Sequence, residues 1–355
     1  MIGAGNGGQA TAAHMALEGH RVNLFDRLPE VIADFRATRH LVVTGAVQGE
    51  ATLECVTDDL GLAVGGVDLV LVSVPGFALE ALAIPLGNAL ASGQVVILHP
   101  GGTGGALRLK AIWNEAGLGS GITIAETETL VYAARLAGPG RPDVKAVKRS
   151  ISLATLPGLE PGRALEIMSA LYPQTRAAAN VLEIALANLN PVMHPPIVIG
   201  TMRAIESSGP RTEFYGDGIS PGVAAMIDGL DAERTRVAGA LGIPCLTVRD
   251  WVERAYAITS EDTESMIRAM AASVYRGILG PDRLDNRYLS EDVPYGLVPW
   301  SELAALAGTR VPLTDAVITL ASVVNGVDYR VEGRTLPKLG LGRLDSAGVV
   351  RAVRT

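Results

Sequence analysis

The chain has 355 residues, 48% of them hydrophobic and 19% charged, with a formal net charge of −7. That length exceeds one ordinary core and implies two domains, and that composition excludes a disordered chain. The acidic balance, with no Lys/Arg run, argues against a nucleic-acid or anionic-membrane partner, and neither is expected.

In chain order, β-branched runs predict strands over 21–26, 68–74, 94–98 and 122–126. Helix-like stretches fall between them at 9–17, 30–38, 77–91 and 106–116. Continuous apolar strands alternating with helices imply a parallel sheet covered on both faces. Residues 40–57 read as a strand-rich insertion with turns at Gly45 and Gly49. Residues 136–158 read as a Gly/Pro-rich loop with a further strand at 150–156, and 161–171 as a helix. From about Val181 the pattern becomes helical, with candidates at 197–207, 222–241, 247–256, 264–278, 298–307 and 312–325.

Cys55 and Cys245 lie far apart and follow no metal-ligand spacing. No metal is expected, and unpaired thiols suit a cytoplasmic setting. The apolar run at 67–74 is too short to span a membrane, and no secretory pattern is read.

Gly3-Ala4-Gly5-Asn6-Gly7-Gly8 fits G-x-G-x-x-G and runs directly into a helix-forming stretch. In that pattern Gly3 permits the tight turn, Gly5 lets a pyrophosphate approach the backbone, and Gly8 allows close helix–strand packing. The helix N-terminus, beginning near Asn6, faces the phosphate charge. Asp26 closes the next strand at about the 20-residue spacing of a dinucleotide site, where a carboxylate accepts hydrogen bonds from the ribose. Asp26 therefore favours NAD(H), while Arg27 beside it could pair with a 2′-phosphate and admit NADP(H). The fold class expected is α/β, a Rossmann-type doubly wound parallel sheet over 1–178, followed by an all-helical substrate domain over 179–355. The strand before the loop is reduced to Met1-Ile2, shorter than the usual five or so residues, and further residues upstream are expected.

His194 is the one histidine beyond residue 100, in Asn188-Leu-Asn-Pro-Val-Met-His194-Pro-Pro196. The two prolines place it just ahead of a helix. The positive end of a helix dipole disfavours an imidazolium, so an acid–base role there needs a carboxylate partner. The alternative is a neutral histidine that only packs at a helix start. Arg287-Tyr-Leu-Ser-Glu-Asp292-Val-Pro-Tyr-Gly-Leu-Val-Pro299 supplies acids, an arginine and tyrosines in a Pro/Gly-interrupted stretch that reads as a loop. A solvated loop with a surface ion pair fits that composition equally well.

These motifs resemble the opine dehydrogenases, the octopine and nopaline dehydrogenase group. The resemblance also covers Glu128-Thr-Leu-Val-Tyr-Ala-Ala-Arg135 and Asp231-Ala-Glu-Arg-Thr-Arg236, and it runs over nearly the whole chain. It implies NAD(P)H-dependent condensation of an amino acid's amine with an α-keto acid such as pyruvate. The imine between them is reduced to an N-(1-carboxyalkyl) amino acid. It implies further that His194 is the general acid–base, that Asp292 orients it, and that Arg287 holds a substrate carboxylate. Thr129 is implied as a contact to the keto acid. A homodimer is compatible with the sequence.

Two other classes compete. A glycerol-3-phosphate or ketopantoate type of reductase looks to a lysine in its helical domain, and here that domain has only Lys338. A dinucleotide-binding sensor without turnover would have no use for His194, Arg287 and Asp292 together.

Overall fold

A computed structural model describes residues 1–158, 162–208 and 212–354. The chain divides into two compact units: Met1–Gly101 with Gly105–Val181, and Gly102–Gly104 with Leu182–Thr355.

The first unit runs α1 (Asn6–Leu17), β1 (Asn23–Phe25), α2 (Pro29–Arg36), β2 (His40–Gly45), β3 (Gly49–Thr52), β4 (Cys55–Thr57) and α3 (Leu60–Val64). It continues with β5 (Leu69–Val72), α4 (Gly76–Ala89), β6 (Val95–Leu98), α5 (Gly105–Ala116) and β7 (Thr123–Thr127). It closes with β8 (Tyr132–Gly138), β9 (Arg141–Val147), β10 (Ile151–Leu156), α6 (Gly162–Leu171) and β11 (Thr175–Ala177).

Its main sheet has the order β11-β10-β7-β6-β5, with β5, β6 and β7 mutually parallel. Parallel strand β1 pairs with β4, and Ile2 bridges both Phe25 and Val72. The short stretch Met1–Gly3 thus fills the place of a strand between β1 and β5. Ile2 N–H donates to the Leu71 carbonyl at 2.8 Å, and Gly3 N–H to the Phe25 carbonyl at 2.8 Å. All four residues of β6 are buried, as expected of a strand covered on both faces.

Two features differ from the sequence expectation. Residues 136–158 are not chiefly loop: β8 and β9 form an antiparallel hairpin, and β9 pairs in parallel with β2. The insertion at 40–57 and this hairpin therefore build one four-stranded sheet, β3-β2-β9-β8. Strand β10 then runs antiparallel to β7, because a hairpin rather than a crossover helix separates them in the chain. An antiparallel edge on an otherwise parallel sheet is common.

The second unit is helical: α7 (Val181–Ala187, whose first residue belongs to the first unit), α8 (Asn190–Ser208), α9 (Pro221–Ala240), α10 (Val248–Tyr256) and α11 (Thr263–Ala272). After these come α12 (Arg287–Ser290), a π-helical turn at Val293–Leu297, α13 (Val298–Leu306), α14 (Pro312–Asn325), α15 (Tyr329–Glu332) and α16 (Ser346–Ala352). The expected helix at 264–278 ends at Ala272.

Side chains that cap helix starts punctuate this unit: Ser220 for α9, Thr247 for α10, Asp262 for α11 and Asn286 for α12. The Asp231–Arg236 motif proves structural. Buried Arg234 donates to Asp231 and to the Leu186 and Leu246 carbonyls, tying α9 to its neighbours. Glu233 accepts from the Leu313 and Thr314 N–H groups at the start of α14. Among the described residues no helix is long and apolar enough to cross a membrane.

Candidate active site

The glycine loop makes a tight turn that runs directly into α1. Gly3 has φ +93°, and a Cβ there would strike the Ser73 carbonyl. A Cβ on Gly8 would collide with the Gly3 carbonyl, so the third glycine lets α1 close onto the loop. At Gly5 a Cβ would meet nothing within 4 Å. The loop therefore faces open space where α1 begins, and the first N–H groups of a helix have no intrahelical partners. Gln9 braces the loop, donating to the Ala4 carbonyl at 2.7 Å and accepting the Gly140 N–H at 3.0 Å.

Asp26 stands at the end of β1 with its carboxylate fixed by two backbone donors. Ala4 N–H lies at 2.7 Å from one oxygen and Leu28 N–H at 3.1 Å from the other. A carboxylate oxygen has more than one acceptor site, so both oxygens can still receive ribose hydroxyls. Arg27 is exposed beside it. Asn6 departs from expectation: its side-chain oxygen accepts the Leu136 N–H at 2.8 Å, anchoring α1 to β8. What it can offer a phosphate is its backbone. Thr129 also lies in this first unit, after β7, where its carbonyl accepts the Thr127 hydroxyl at 3.0 Å.

In the second unit His194 and Asp292 meet, although they are 98 residues apart. His194 Nδ1 lies 2.7 Å from an Asp292 carboxylate oxygen, and each residue is 6% exposed. The carboxylate can only accept, so the Nδ1 proton stays between them.

The local sequence brings this about in an unexpected way. His194 is not ahead of its helix but within it: α8 begins at Asn190, and Pro195 and Pro196 lie inside. The helix N-terminus is therefore at Asn190 and not at Pro195. Pro195 and Pro196 carry no N–H, so the carbonyls of Pro191 and Val192 lack their usual helical donors.

The segment 287–299 is not a loop either. It coils as α12, a π-helical turn and α13. Leu297 N–H reaches back five residues to the Asp292 carbonyl at 3.1 Å, and Pro294 can donate nothing within the turn. A Cβ on Gly296 would run into the Pro191 ring, so glycine lets this wide turn press against the first turn of α8. Pro294 in turn accepts the Arg334 N–H at 3.0 Å. Asn190–Pro196 and Asp292–Gly296 thus fit each other, and that contact delivers the carboxylate to the imidazole.

Sequence reasoning missed the residue on the other side of the ring. His194 Nε2 lies 2.8 Å from the Tyr215 hydroxyl. Around the pair, Tyr288 sits 4.4 Å from the imidazole between ring centroids and stacks on Phe214 at the same separation. Tyr215 stacks on Tyr275 at 4.6 Å. One signal was present: Phe214-Tyr215, followed closely by Gly216 and Gly218, in a chain with only 4% aromatic residues.

Arg287 does not join the buried pair. Its side chain is 60% exposed, with its nearest ion-pair contact a loose 3.6 Å to Glu291. Lys338, the lysine a rival mechanism would need, spends its amine on the carbonyls of Val331, Glu332 and Gly333 at 2.7–3.0 Å.

Residues 177–325 match the NAD/NADP octopine/nopaline dehydrogenase α-helical domain, and residues 1–115 match the N-terminus of NAD-dependent glycerol-3-phosphate dehydrogenase. The opine dehydrogenase of Arthrobacter sp. (strain 1C) is 38% identical, over 99% of this chain and 98% of its own. The chain belongs to the opine dehydrogenase family. It is accordingly an NAD(P)-dependent oxidoreductase of the class that acts on a CH–NH bond. The octopine dehydrogenase of Pecten maximus is 24% identical over 78% of this chain and 75% of its own. A solved octopine dehydrogenase with NADH and L-arginine shares the fold, with a TM-score of 0.78, 22% identity, and coverage of 98% of this chain and 96% of that one.

Proposed function

We propose that this enzyme uses NADH to condense the amine of an amino acid with an α-keto acid such as pyruvate. The product is an N-(1-carboxyalkyl) amino acid, and the enzyme also runs the reverse oxidation. The observation that carries this reading is the buried His194, fixed by Asp292 on one nitrogen and hydrogen-bonded on the other, in the helical domain of this family. Solved octopine dehydrogenases with NADH and L-arginine, and with NADH and pyruvate, support the two substrate classes.

In this reading residues 1–178 bind the cofactor and 179–355 supply the acid–base pair and the carboxylate clamp for the substrates. Gly3, Gly5, Gly8 and the backbone of Asn6 would hold the pyrophosphate, and Asp26 the ribose, with exposed Arg27 able to admit NADP(H) as well. When bound, the nicotinamide supplies the hydride.

His194 moves the protons. As base it takes one from the attacking amine, and as acid it gives one to the hydroxyl that leaves when the carbinolamine becomes an imine. Asp292 keeps the Nδ1 proton in place and stabilises the imidazolium formed between these steps. Arg287 would grip a substrate carboxylate through two parallel hydrogen bonds, for which its exposure leaves it available. Thr129 would contact the keto acid.

Following NADH and NADPH oxidation with pyruvate against a panel of amino acids tests this reading. We expect NADH oxidation that requires both substrates, and a loss of about 10²–10⁴ in His194→Ala. Oxidation driven by the keto acid alone, with no need of an amine, would refute it.

A further inference from the structure

Both nitrogens of His194 are engaged, and by groups of different kinds. Asp292 at Nδ1 is an acceptor only, so that nitrogen holds its proton throughout. All proton exchange must pass through Nε2, and Nε2 is covered by the Tyr215 hydroxyl at 2.8 Å.

A hydroxyl suits that place because it works in both directions. With neutral imidazole, Nε2 offers a lone pair and Tyr215 donates to it. With imidazolium, Nε2–H donates to the phenol oxygen, and the phenol proton turns outward. The hydroxyl therefore changes its partner in step with the charge on His194.

The surroundings hold that oxygen still. The Tyr215 ring lies edge-on to Phe214, at 5.0 Å and 80°, and stacks on Tyr275 at 4.6 Å and 28°. The backbone beneath is pinned where Phe214 N–H meets the Ile278 carbonyl at 2.8 Å and Glu213 N–H meets Asp217 at 2.7 Å. A Cβ on Gly218 would strike the Phe214 carbonyl and crowd the Ile197 side chain of α8, so glycine lets this turn close on itself and against the helix that carries His194.

We infer that Tyr215 is a catalytic proton carrier, standing between His194 Nε2 and the reacting carbinolamine. This rests on the reading of His194 as the acid–base of an opine-type reaction. In the dehydration step the nitrogen lone pair of the carbinolamine forms the C=N bond as the C–O bond breaks. The departing hydroxyl takes the Tyr215 proton and leaves as water, while the phenol oxygen takes the Nε2 proton and His194 becomes neutral. Atoms and charge balance, because the imidazolium's positive charge passes to the iminium nitrogen. In the oxidative direction water adds to the iminium carbon, its proton goes to Tyr215, the Tyr215 proton goes to Nε2, and the positive charge returns from nitrogen to the imidazolium. Two linked transfers spare the phenol from existing as a phenolate in a buried site, where a lone charge is costly.

Tyr215→Phe tests this, because it removes one oxygen and keeps the ring packing. Turnover in the reductive direction should fall by about a hundredfold, while NADH affinity stays within about twofold of the parent. An imidazolium that loses its acceptor loses more than a neutral ring that loses a donor. The fall of reductive activity with rising pH should therefore move to lower pH by about half a unit to one unit. A proton inventory in mixed light and heavy water should be curved in the parent, with two protons in flight, and straight in the variant.

His194→Ala is measured alongside. If it is inactive while Tyr215→Phe keeps parent-like turnover and pH profile, the carrier is overturned and the acid–base reading stands. If both variants keep turnover, the acid–base reading falls too. Should Tyr215→Phe fail to fold, a ring-fluorinated tyrosine at 215 keeps shape and hydroxyl while making the phenol more acidic. A carrier then shifts the pH profile, and an unshifted profile overturns the proposal.

Discussion

Asp292→Asn is the sharpest probe of the buried pair, since it keeps the shape of the side chain and removes only its charge. In the parent the carboxylate accepts from Nδ1 at 2.7 Å, with both residues nearly shielded from water. A hydrogen bond to a charged partner contributes about 1.5–3 kcal/mol and a neutral one about 0.5–1.5, so the imidazolium loses roughly 1–2 kcal/mol. At 1.36 kcal/mol per pH unit, the pH at which reductive activity falls away should drop by about one unit. A second effect adds to this. The Asn amide can donate to Nδ1, which would move the proton of the neutral ring to Nε2 and leave no lone pair there to act as base. Together these should lower turnover by about 10²–10³. The assay is steady-state NADH oxidation with pyruvate and an accepted amino acid across roughly pH 5 to 9, spanning the range in which a histidine titrates. Parent-like turnover with an unmoved pH profile would show that the 2.7 Å contact is packing and not chemistry.

Asp26→Ala should weaken NADH by about tenfold and narrow its advantage over NADPH, read from dissociation constants; an NADPH preference in the parent would refute this account of Asp26. Arg287→Lys keeps charge but loses the fork, and should raise the Michaelis constant of at least one carboxylate substrate by about tenfold with NADH affinity unchanged. If Arg287→Ala left both substrate constants and turnover alone, Arg287 would be only the exposed partner of Glu291. Burial, helped by the Lys148 charge, pushes His99 down to about 3. Its folded value thus lies below its unfolded one, so the fold keeps the ring neutral and stability falls as pH drops below about 6.5. Integrated to pH 5 that loss is about 2 kcal/mol in urea unfolding, and His99→Gln should show a correspondingly flatter pH dependence, an unchanged slope being the contrary result.

The legible parts were those whose physics is local. A glycine loop, the helix behind it and an acid at the next strand end are set by neighbours in the chain, and the tight turn at Gly3, the close packing at Gly8 and the Asp26 carboxylate beside the loop are all present. The expected strands were found because a strand buried on both faces is apolar throughout. Pairing between distant segments was not legible. Nothing in 40–57 announces that it joins a hairpin some hundred residues later, and the Gly/Pro content of 136–158 reads as loop because a tight hairpin turn uses the same residues. Tyr215 was hidden for the same reason: its bond to His194 is a fact of tertiary packing.

The errors near His194 have another origin. Local rules start a helix at paired prolines and make a loop of Glu-Asp-Val-Pro-Tyr-Gly, and both rules fail at this site. Helix α8 keeps Pro195 and Pro196 in its interior, and the segment after Asp292 widens into a π-helical turn. Each irregularity leaves carbonyls without their usual donors, a cost that a protein sustains where something else depends on it. Here the two irregular segments lie against each other, Gly296 on Pro191, and across that contact Asp292 reaches His194. Regular helices at both places would satisfy more backbone and would have no reason to press a glycine onto a proline ring. The departures from local preference are therefore themselves evidence that the His194–Asp292 pair, rather than helix stability, is what these two motifs are built to hold.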